Sequence, residues 1–220
     1  MLESTIRERA LRRVKAAVRK LLPDTVMRKV YRSRAYEGTR RLLYLKTKAF
    51  TGMGNSTLSR VPQTARSFVF VCYGNIMRSP MCEALMKQAL AGMPEVRITS
   101  AGLNAAPGRQ AHTWAIEAAR DFGIALEDHH ARLLTDAMVE QADVVFAMDY
   151  ENQSQLLSRF AGAKDKALML GTYGQQGRGA VEIRDPYYMG LEGTRQCYQI
   201  LDACIRNLVH DLALGSTISG

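Results

Sequence analysis

Short apolar runs alternate with longer stretches of helical periodicity between residues 67 and 212. The apolar runs have the length and composition of buried strands, and the stretches between them have the period of amphipathic helices. The predicted strands are Phe68–Cys72, Val96–Ser100, Asp143–Met148 and Ala167–Leu170, and the predicted helices are Ser79–Leu90, Gln110–Phe122, Glu151–Phe160 and Thr194–Leu212. This alternation indicates parallel βαβ units with both sheet faces covered. It predicts an α/β fold, a three-layer sandwich around a four-stranded parallel sheet.

Residues 1–66 follow a different pattern. Five apolar residues of the first 22 lie close to one helical face, while Arg and Lys occupy much of the rest, and Pro23 ends the helix. A second basic helix is predicted over residues 24–50, followed by a turn-rich linker that begins at Thr51. We therefore divide the chain into a basic helical extension with its linker, residues 1–66, and a second domain, residues 67–220.

Charge separates the same two parts. The chain has 30 Lys and Arg against 21 Asp and Glu, a net of +9. Residues 1–66 hold 17 basic and 4 acidic side chains, a net of +13, and residues 67–220 hold 13 and 17, a net of −4. The extension is thus either a helical element that docks on its own domain or on a partner, or a segment that binds an anionic membrane surface through residues 1–50. Nucleic-acid binding is the weakest interpretation because no docking motif accompanies the charge.

Composition excludes several classes of protein. An apolar content of 47% is enough to build a core, and no apolar run approaches the roughly 18 residues of a membrane-spanning helix. Four cysteines in 220 residues do not make a disulfide framework, and they indicate either reduced thiols in a cytosol-like compartment or cysteines with a chemical role. A cytoplasmic protein is expected, peripheral to the inner face of the membrane if the extension binds lipid.

The segment Val71–Pro80 carries the clearest chemical signal. Cys72 ends the first strand, Arg78 follows six residues later, and Ser79 and Pro80 have the character of a helix cap and a first helical residue. Gly74 and Asn75 tolerate positive φ, so the backbone between can curl until its N–H groups converge. Converging amides, a helix N-terminus and a guanidinium form an anion site that also stabilises a thiolate. A nucleophile at the floor of a phosphate cradle can accept a phosphoryl group.

This segment resembles the signature of the low-molecular-weight protein tyrosine phosphatases. The resemblance continues through Thr99–Gly102, His129–Arg132, Ala147–Asn152 and Asp185–Tyr188, in the order of the family, and covers roughly residues 67–212. It implies a hydrolase that cleaves phosphotyrosine through a cysteinyl-phosphate. The resemblance does not reach the extension, and the expected reaction needs no metal ion and no cofactor.

The resemblance also implies roles for individual residues. Cys72 is the nucleophile, Arg78 stabilises the transferring phosphoryl group, and Asp185 is the general acid and then the base. The phosphate would lie against the loop residues Tyr73, Gly74, Asn75, Ile76, Met77 and Arg78. Ser79, Ser100 and His129 would support that loop together with Asn75, and Tyr187 and Tyr188 would form the wall of the pocket. For Asp149, a place at the functional edge and a helix-capping role remain equally open.

The sequence departs from the family at three places. Met77 stands where many members have a second cysteine, so we expect no disulfide protection of Cys72 at that position. Ile76 is the residue of tyrosine-specific members, whereas the related arginine phosphatases have Thr there. The variable segment Leu103–Gln110 lacks a large aromatic residue, which leaves one pocket wall small or supplied from elsewhere.

Two other functions compete with the phosphatase. An arsenate reductase shares this fold but needs two further cysteines, for which Cys197 and Cys204 are candidates, although both fit the core of the last helix. A phosphate-binding module without turnover is the second. The expected partner is a phosphotyrosine-containing protein, and in a bacterium family precedent suggests an autophosphorylated tyrosine kinase of surface-polysaccharide production.

Overall fold

The structure is a computed structural model that describes Leu58, residues 60–174 and residues 182–216, with side chains up to residue 213. The two predicted basic helices and most of the linker lie outside the described residues. Within the described ranges, no helix combines the length and the hydropathy needed to cross a bilayer.

Four strands and five α-helices follow one another along the described chain. The strands are β1 (Ser67–Cys72), β2 (Arg97–Gly102), β3 (Val144–Ala147) and β4 (Ala167–Met169). The α-helices are α1 (Arg78–Ala89), α2 (Thr113–Arg120), α3 (Asp136–Gln141), α4 (Tyr150–Arg159) and α5 (Gly190–Ser216). Three short 3₁₀ helices span Ala161–Ala163, Leu170–Tyr173 and Pro186–Tyr188.

The strands form one parallel sheet in the order β2-β1-β3-β4. Phe70 pairs with Ser100 of β2 on one side and with Phe146 of β3 on the other. The strand that follows β1 in the chain, β2, lies on one side of β1, and the next strand, β3, lies on the other side. The direction in which strands are added to the sheet therefore reverses between β1 and β3. Ligands of open α/β sheets bind at the carboxyl ends of the strands at such a point. Here those ends are Cys72 and the residues after Ala147.

Side chains of β1 alternate between two separate hydrophobic cores. Phe68, Phe70 and Cys72 face a larger core built with α1, α2 and α5. Val69 and Val71 face a smaller core built with α3 and α4. Helices therefore cover both faces of a four-stranded parallel sheet, and the prediction of a three-layer α/β sandwich is confirmed.

The segment just before β1 packs on the domain. Val61 and Ala65 are 3% exposed and belong to the larger core, and the Val61 N–H donates to the Tyr173 hydroxyl at 3.1 Å. Arg60 pairs with Asp211 near the end of α5. The last residues that we assigned to the extension thus contribute to the core of the domain that follows.

The predicted elements agree with the observed ones except in a few places. All four predicted strands and all four predicted helices are confirmed, with ends shifted by a few residues. The helix α3 was missed because six residues are too short to show a period, although Thr135 caps it through the Met138 N–H. The last helix begins at Gly190, four residues before the predicted start.

Candidate active site

The loop between β1 and α1 runs from Cys72 to Arg78, and we call it the Cys72–Arg78 loop. Cys72 is the last residue of β1 and Arg78 the first of α1, so the strand and the helix fix both ends of the loop. Asn75 has φ of +53°, the left-handed conformation that Asn tolerates better than most residues. This residue provides the curl that the sequence predicted for Gly74 and Asn75.

Most carbonyl groups of the Cys72–Arg78 loop bond to donors outside it. The acceptor–donor pairs are Cys72 with the Leu103 N–H at 2.9 Å, Tyr73 with the Asn104 N–H at 2.8 Å, Asn75 with His129 Nε2 at 2.8 Å, Ile76 with the His112 N–H at 2.9 Å and Met77 with the Tyr198 hydroxyl at 3.0 Å. In a trans peptide the C=O and the N–H point in opposite directions, and the described chain has no cis peptide. Outward carbonyls therefore turn the following N–H groups toward the inside of the loop.

The thiol of Cys72 lies at the floor of that loop. Its Sγ is 3.2 Å from the Asn75 N–H and 3.0 Å from Ser79 Oγ, and the residue is 3% exposed. The sulfur thus accepts a backbone N–H and lies within hydrogen-bond distance of a hydroxyl. The surroundings of Cys72 are those of a reactive cysteine, unlike those of the other three cysteines.

Those three cysteines are buried between helices. Cys82 lies on α1, and Cys197 and Cys204 lie on α5. Burial raises the pKa of Cys197 to about 12 and of Cys204 to about 11, and it raises the pKa of Cys82 well above its ordinary value. Neutral, enclosed thiols are poor nucleophiles. This agrees with a core role for all three.

A buried hydrogen-bond network holds Asn75 in place. Its Nδ2 donates to Ser79 Oγ and to Ser100 Oγ, both at 2.9 Å, and its Oδ1 accepts the Arg132 N–H at 2.8 Å. Asn75, Ser79 and Ser100 are fully buried. The structure thus brings Asn75, Ser79, Ser100 and, through the Asn75 carbonyl, His129 into one cluster around the thiol.

The prediction that Ser79 caps the helix is wrong. The N-cap residue is Met77, and its side chain makes no capping bond, while Ser79 lies one residue inside α1. The Ser79 hydroxyl instead contacts Cys72, Asn75 and the Ala101 carbonyl. A helix that begins directly at the site has its first N–H groups facing the loop, which explains the missing side-chain cap.

Glu83 anchors the outer side of this network. It accepts the Ser100 hydroxyl at 2.5 Å, and it pairs with Arg132 at 2.9 Å and with Lys87 at 2.6 Å. Burial alone would raise the pKa of Glu83, but the bonds from Lys87, Ser100 and Arg132 hold it below its ordinary value. The Glu83 carboxylate is therefore charged, and each of its oxygens has a hydrogen-bond partner. It fixes Ser100 and, through Ser100, Asn75.

His129 is half-buried beside this cluster. Burial lowers the pKa of His129, and the charges of Arg132 and His130 lower it further, against the raising effect of the Asn75 carbonyl and of Glu83. The lowered pKa favours the neutral imidazole at neutral pH. Its Nε2 is then the donor to the Asn75 carbonyl.

Arg78 is the most buried charged residue at the site, at 1% exposed. Its Nη1 donates to Asp149 Oδ2 at 2.7 Å and to the Ile183 carbonyl at 2.9 Å, and its Nη2 donates to Asp185 Oδ2 at 2.8 Å. These bonds fix the plane of the guanidinium at the mouth of the loop. A fixed, desolvated fork matches the geometry of a phosphate.

Asp149 performs both of the roles that the sequence left open. It is the N-cap of α4, where Oδ1 accepts the Asn152 N–H at 2.8 Å, and its Oδ2 holds Arg78. It follows β3, at the point where the strand order reverses. Asp149 is thus a positioning residue for Arg78.

Asp185 lies opposite Arg78 on a short surface segment. Its Oδ1 accepts the Tyr187 N–H at 3.1 Å, and the residue caps the 3₁₀ turn Pro186–Tyr188. Its side chain is 27% exposed, whereas that of Asp149 is 3% exposed. The rings of Tyr187 and Tyr188 meet edge-on at 4.8 Å beside it. The structure therefore brings Cys72, Arg78, Asp185 and both tyrosines to one edge of the sheet.

Several residues of the site carried no signal in the sequence. Tyr198 bonds to the Met77 carbonyl from α5, 121 residues away in the chain, and Glu83 completes the Asn75 network through Ser100. Long-range partners of this kind follow from how helices pack on the sheet. Among the described residues, no cluster of His, Cys, Asp and Glu has the arrangement of a metal site.

Comparison with known proteins identifies relatives of this site. AmsI of Erwinia amylovora, a probable low molecular weight protein-tyrosine-phosphatase, is 33% identical over 147 residues, which cover 67% of this chain and 97% of the relative. A protein-arginine-phosphatase of Bacillus subtilis is 34% identical and covers 66% of this chain and 95% of its own length.

Solved structures give the same result. The crystal structure of AmsI matches with a TM-score of 0.62 at 32% identity, over 68% of this chain and 95% of that one. Wzb from Escherichia coli K30 in complex with sulphate matches with a TM-score of 0.62 at 30% identity, over 68% and 99%. A family model described as low molecular weight phosphotyrosine protein phosphatase matches residues 67–216. The chain therefore belongs to the low molecular weight phosphotyrosine protein phosphatase family and is a hydrolase of that class.

Proposed function

We propose that this protein hydrolyses phosphotyrosine in other proteins through a phosphoryl group bonded to Cys72. The observation that carries the proposal is the arrangement of the Cys72–Arg78 loop, in which most carbonyls bond outward, the Asn75 N–H donates to the Cys72 thiol and the Arg78 guanidinium is held by Asp149, Asp185 and the Ile183 carbonyl. A phosphoryl group over the thiol would find donors for its equatorial oxygens already in position.

The first step breaks the bond between phosphorus and the phenolic oxygen. The Cys72 thiolate attacks phosphorus in line, a sulfur–phosphorus bond forms, and the phenolic oxygen leaves with a proton from Asp185. That proton is needed because a tyrosine oxygen has a pKa near 10 and leaves poorly as an anion. The position of Asp185 supports this assignment. Its carboxylate lies 2.8 Å from the Arg78 guanidinium, so the proposed acid is beside the group that would bind phosphate.

The second step regenerates the enzyme. Asp185, now a carboxylate, takes a proton from water as the water oxygen attacks phosphorus, and the thiolate of Cys72 leaves. The Ser79 hydroxyl, 3.0 Å from sulfur, stabilises that thiolate as it departs. A covalent intermediate has precedent in a relative, since one solved structure is a mutant YwlE arginine phosphatase with a phosphorylated active-site serine.

Phosphotyrosine is the proposed substrate, with phosphoarginine as the competing choice. The relatives include enzymes named for each substrate. Ile76, buried in the Cys72–Arg78 loop at 6% exposed, is the residue that the family resemblance associates with tyrosine. Tyr187, at the mouth of the site, offers an aromatic face to a phenyl ring.

Hydrolysis of para-nitrophenyl phosphate, with and without vanadate, tests the proposal. We expect metal-independent turnover that vanadate inhibits, and we expect Cys72→Ser and Arg78→Ala each to abolish it. A protein that binds phosphotyrosine without releasing phosphate would be a binding module. Arsenate-dependent oxidation of a thiol without phosphatase turnover would indicate a reductase, against which the burial of Cys197 and Cys204 argues.

We further propose that the basic extension brings this enzyme to an anionic membrane surface on its cytoplasmic side, where a tyrosine kinase would be its substrate. The support is the net charge of +13 over residues 1–66 and the amphipathic pattern of residues 1–22. Cosedimentation with anionic liposomes tests this, with the full chain compared to one that begins at Leu58. The shorter chain keeps Val61 and Ala65, which the core needs. Equal partitioning of the two chains would contradict membrane binding.

A further inference from the structure

A row of four rings lies beside the Cys72–Arg78 loop. The ring of Trp114 lies 4.8 Å from that of His112, His112 lies 5.4 Å from Tyr187, and Tyr187 lies 4.8 Å from Tyr188. The contacts are tilted or edge-on, which are favourable arrangements for aromatic pairs. The row thus joins α2 to the segment that carries Asp185.

His112 occupies the central position of this row because of where its backbone lies. It is the N-cap of α2, and its Nδ1 accepts the Trp114 N–H at 3.2 Å. Its own N–H donates to the Ile76 carbonyl at 2.9 Å. One residue therefore contacts the Cys72–Arg78 loop through its backbone and Tyr187 through its ring.

The ring contact reaches Asp185 through one further bond. The Tyr187 N–H donates to Asp185 Oδ1 at 3.1 Å, so the position of Tyr187 and that of the carboxylate depend on each other. Burial, followed by the nearby charge of Arg109, lowers the pKa of His112. The imidazole is then neutral at neutral pH and keeps Nδ1 as an acceptor.

The variable segment that follows β2 lacks an aromatic residue that could form one wall of the substrate pocket. Residues 103–110, which follow β2, contain no aromatic side chain, and the first rings after them are those of His112 and Trp114. Both are half-buried, so part of each ring remains at the surface. The first rings available to replace that wall therefore lie at the start of α2.

We propose that His112 and Trp114, together with Tyr187, form an aromatic surface that selects aryl phosphates with a large ring system, and that His112 is a positioning residue for Tyr187. The inference rests on the proposed phosphatase function and specifies the part of the substrate beyond the phosphoryl group. An aromatic pair contributes about two- to tenfold in affinity beyond the area it buries. We expect selectivity of that size between ring systems.

Two substitutions at His112 separate its ring from its capping bond. His112→Asn removes the ring but keeps an oxygen that can accept the Trp114 N–H, since Asn is among the best N-cap residues. His112→Phe keeps a ring against Tyr187 but removes the cap acceptor. The substrates are 2-naphthyl phosphate and phenyl phosphate, whose leaving groups have similar basicity, so their ratio of kcat/KM reports the ring contact.

We expect the unchanged enzyme to prefer 2-naphthyl phosphate and His112→Asn to lose about two- to tenfold of that preference, most of it in KM. His112→Phe should keep the preference and lower the melting temperature. A preference that is unchanged in His112→Asn, or lost equally in His112→Phe, would overturn the inference. If the unchanged enzyme hydrolyses neither ester, the proposed function fails instead, which is a different result.

Discussion

The Cys72–Arg78 loop and the segment 182–188, which carries Asp185, are built in different ways. The loop is held by donors from the segment after β2, the N-cap of α2, α5 and the segment around His129, and its central residue Asn75 is fully buried. Asp185 lies on a surface turn and is held by Arg78 and by the Tyr187 N–H. The loop proposed to bind phosphate is thus held from several parts of the fold, whereas the proposed acid is held by Arg78 and by one bond within its own turn.

This difference predicts which substitutions affect all substrates and which affect only some. A change in the loop alters the position of phosphate for every ester. A change at Asp185, the proposed acid and base, should depend on the leaving group, because proton transfer matters most for a poor one.

Among the variants that should retain turnover, the largest effect is expected for Asp185→Asn. An amide cannot donate a proton as a carboxylic acid does, so the rate of the first step on phenyl phosphate should fall by about 10²- to 10⁴-fold. Para-nitrophenyl phosphate has a better leaving group and should lose much less in that step. The measurement is kcat/KM for both esters, with Asp202→Asn as the control, since Asp202 pairs with Arg206 one turn further along α5. Equal losses on both esters would show that Asp185 is not the acid.

An intermediate effect is expected for Gly102→Ala. A Cβ at Gly102 would lie 2.9 Å from the Asn75 nitrogen and from the Gly74 carbonyl carbon, so the loop backbone must move. A displacement of about 1 Å at a reacting group can cost roughly 10²-fold in rate. We expect a similar loss of kcat/KM on both esters, measured beside Gly92→Ala.

Gly92 is the matched control because a Cβ there meets nothing within 4 Å. The loss at Gly102 should be independent of the leaving group, in contrast to the loss at Asp185. Full activity in Gly102→Ala would mean that the geometry of the loop is not as tightly set as its contacts indicate.

The smallest effect is a change in the pH dependence of stability. The pKa of Glu83 is lower in the folded protein than in the unfolded chain, so its stabilising contribution is present above about pH 4.3 and is lost as the pH falls. Glu83→Gln should lower the free energy of unfolding at pH 7 by about 1–3 kcal/mol and flatten its decrease in acid. Denaturant unfolding between pH 3 and pH 7 measures both.

Glu127→Gln is the comparison for Glu83. Glu127 also has a lowered pKa, because of its bond to Arg120, but that pair lies on the surface and contributes little. If both variants show the same pH dependence, the buried network around Glu83 does not stabilise the loop.

Much of the fold and the chemical centre of the site could be predicted from the sequence. The alternation of strands and helices is a local pattern, and Cys72, Gly74, Asn75 and Arg78 lie within seven residues, so their spacing already implies the loop. The capping assignment of Ser79 was wrong because a local rule was applied where the hydroxyl has a partner in Cys72.

The remaining contacts could not be predicted for a physical reason. Tyr198 and His112 reach the loop from α5 and from the start of α2, and their contacts depend on how those helices pack on the sheet. For Asp149, periodicity and capping rules gave two roles, and only the position of Arg78 shows that one carboxylate performs both.

The most direct test of the account is to look for the phosphoryl group on Cys72. With Asp185 as the proposed base, Asp185→Asn should slow the attack of water, so the intermediate should accumulate when this variant is mixed with para-nitrophenyl phosphate and quenched in acid. Intact-protein and peptide mass spectrometry should then find one added phosphoryl group, on the peptide that contains Cys72 and absent from Cys72→Ala treated in parallel. Steady turnover by the unchanged enzyme, with no phosphoryl group on Cys72 in any quenched sample, would contradict the proposed mechanism.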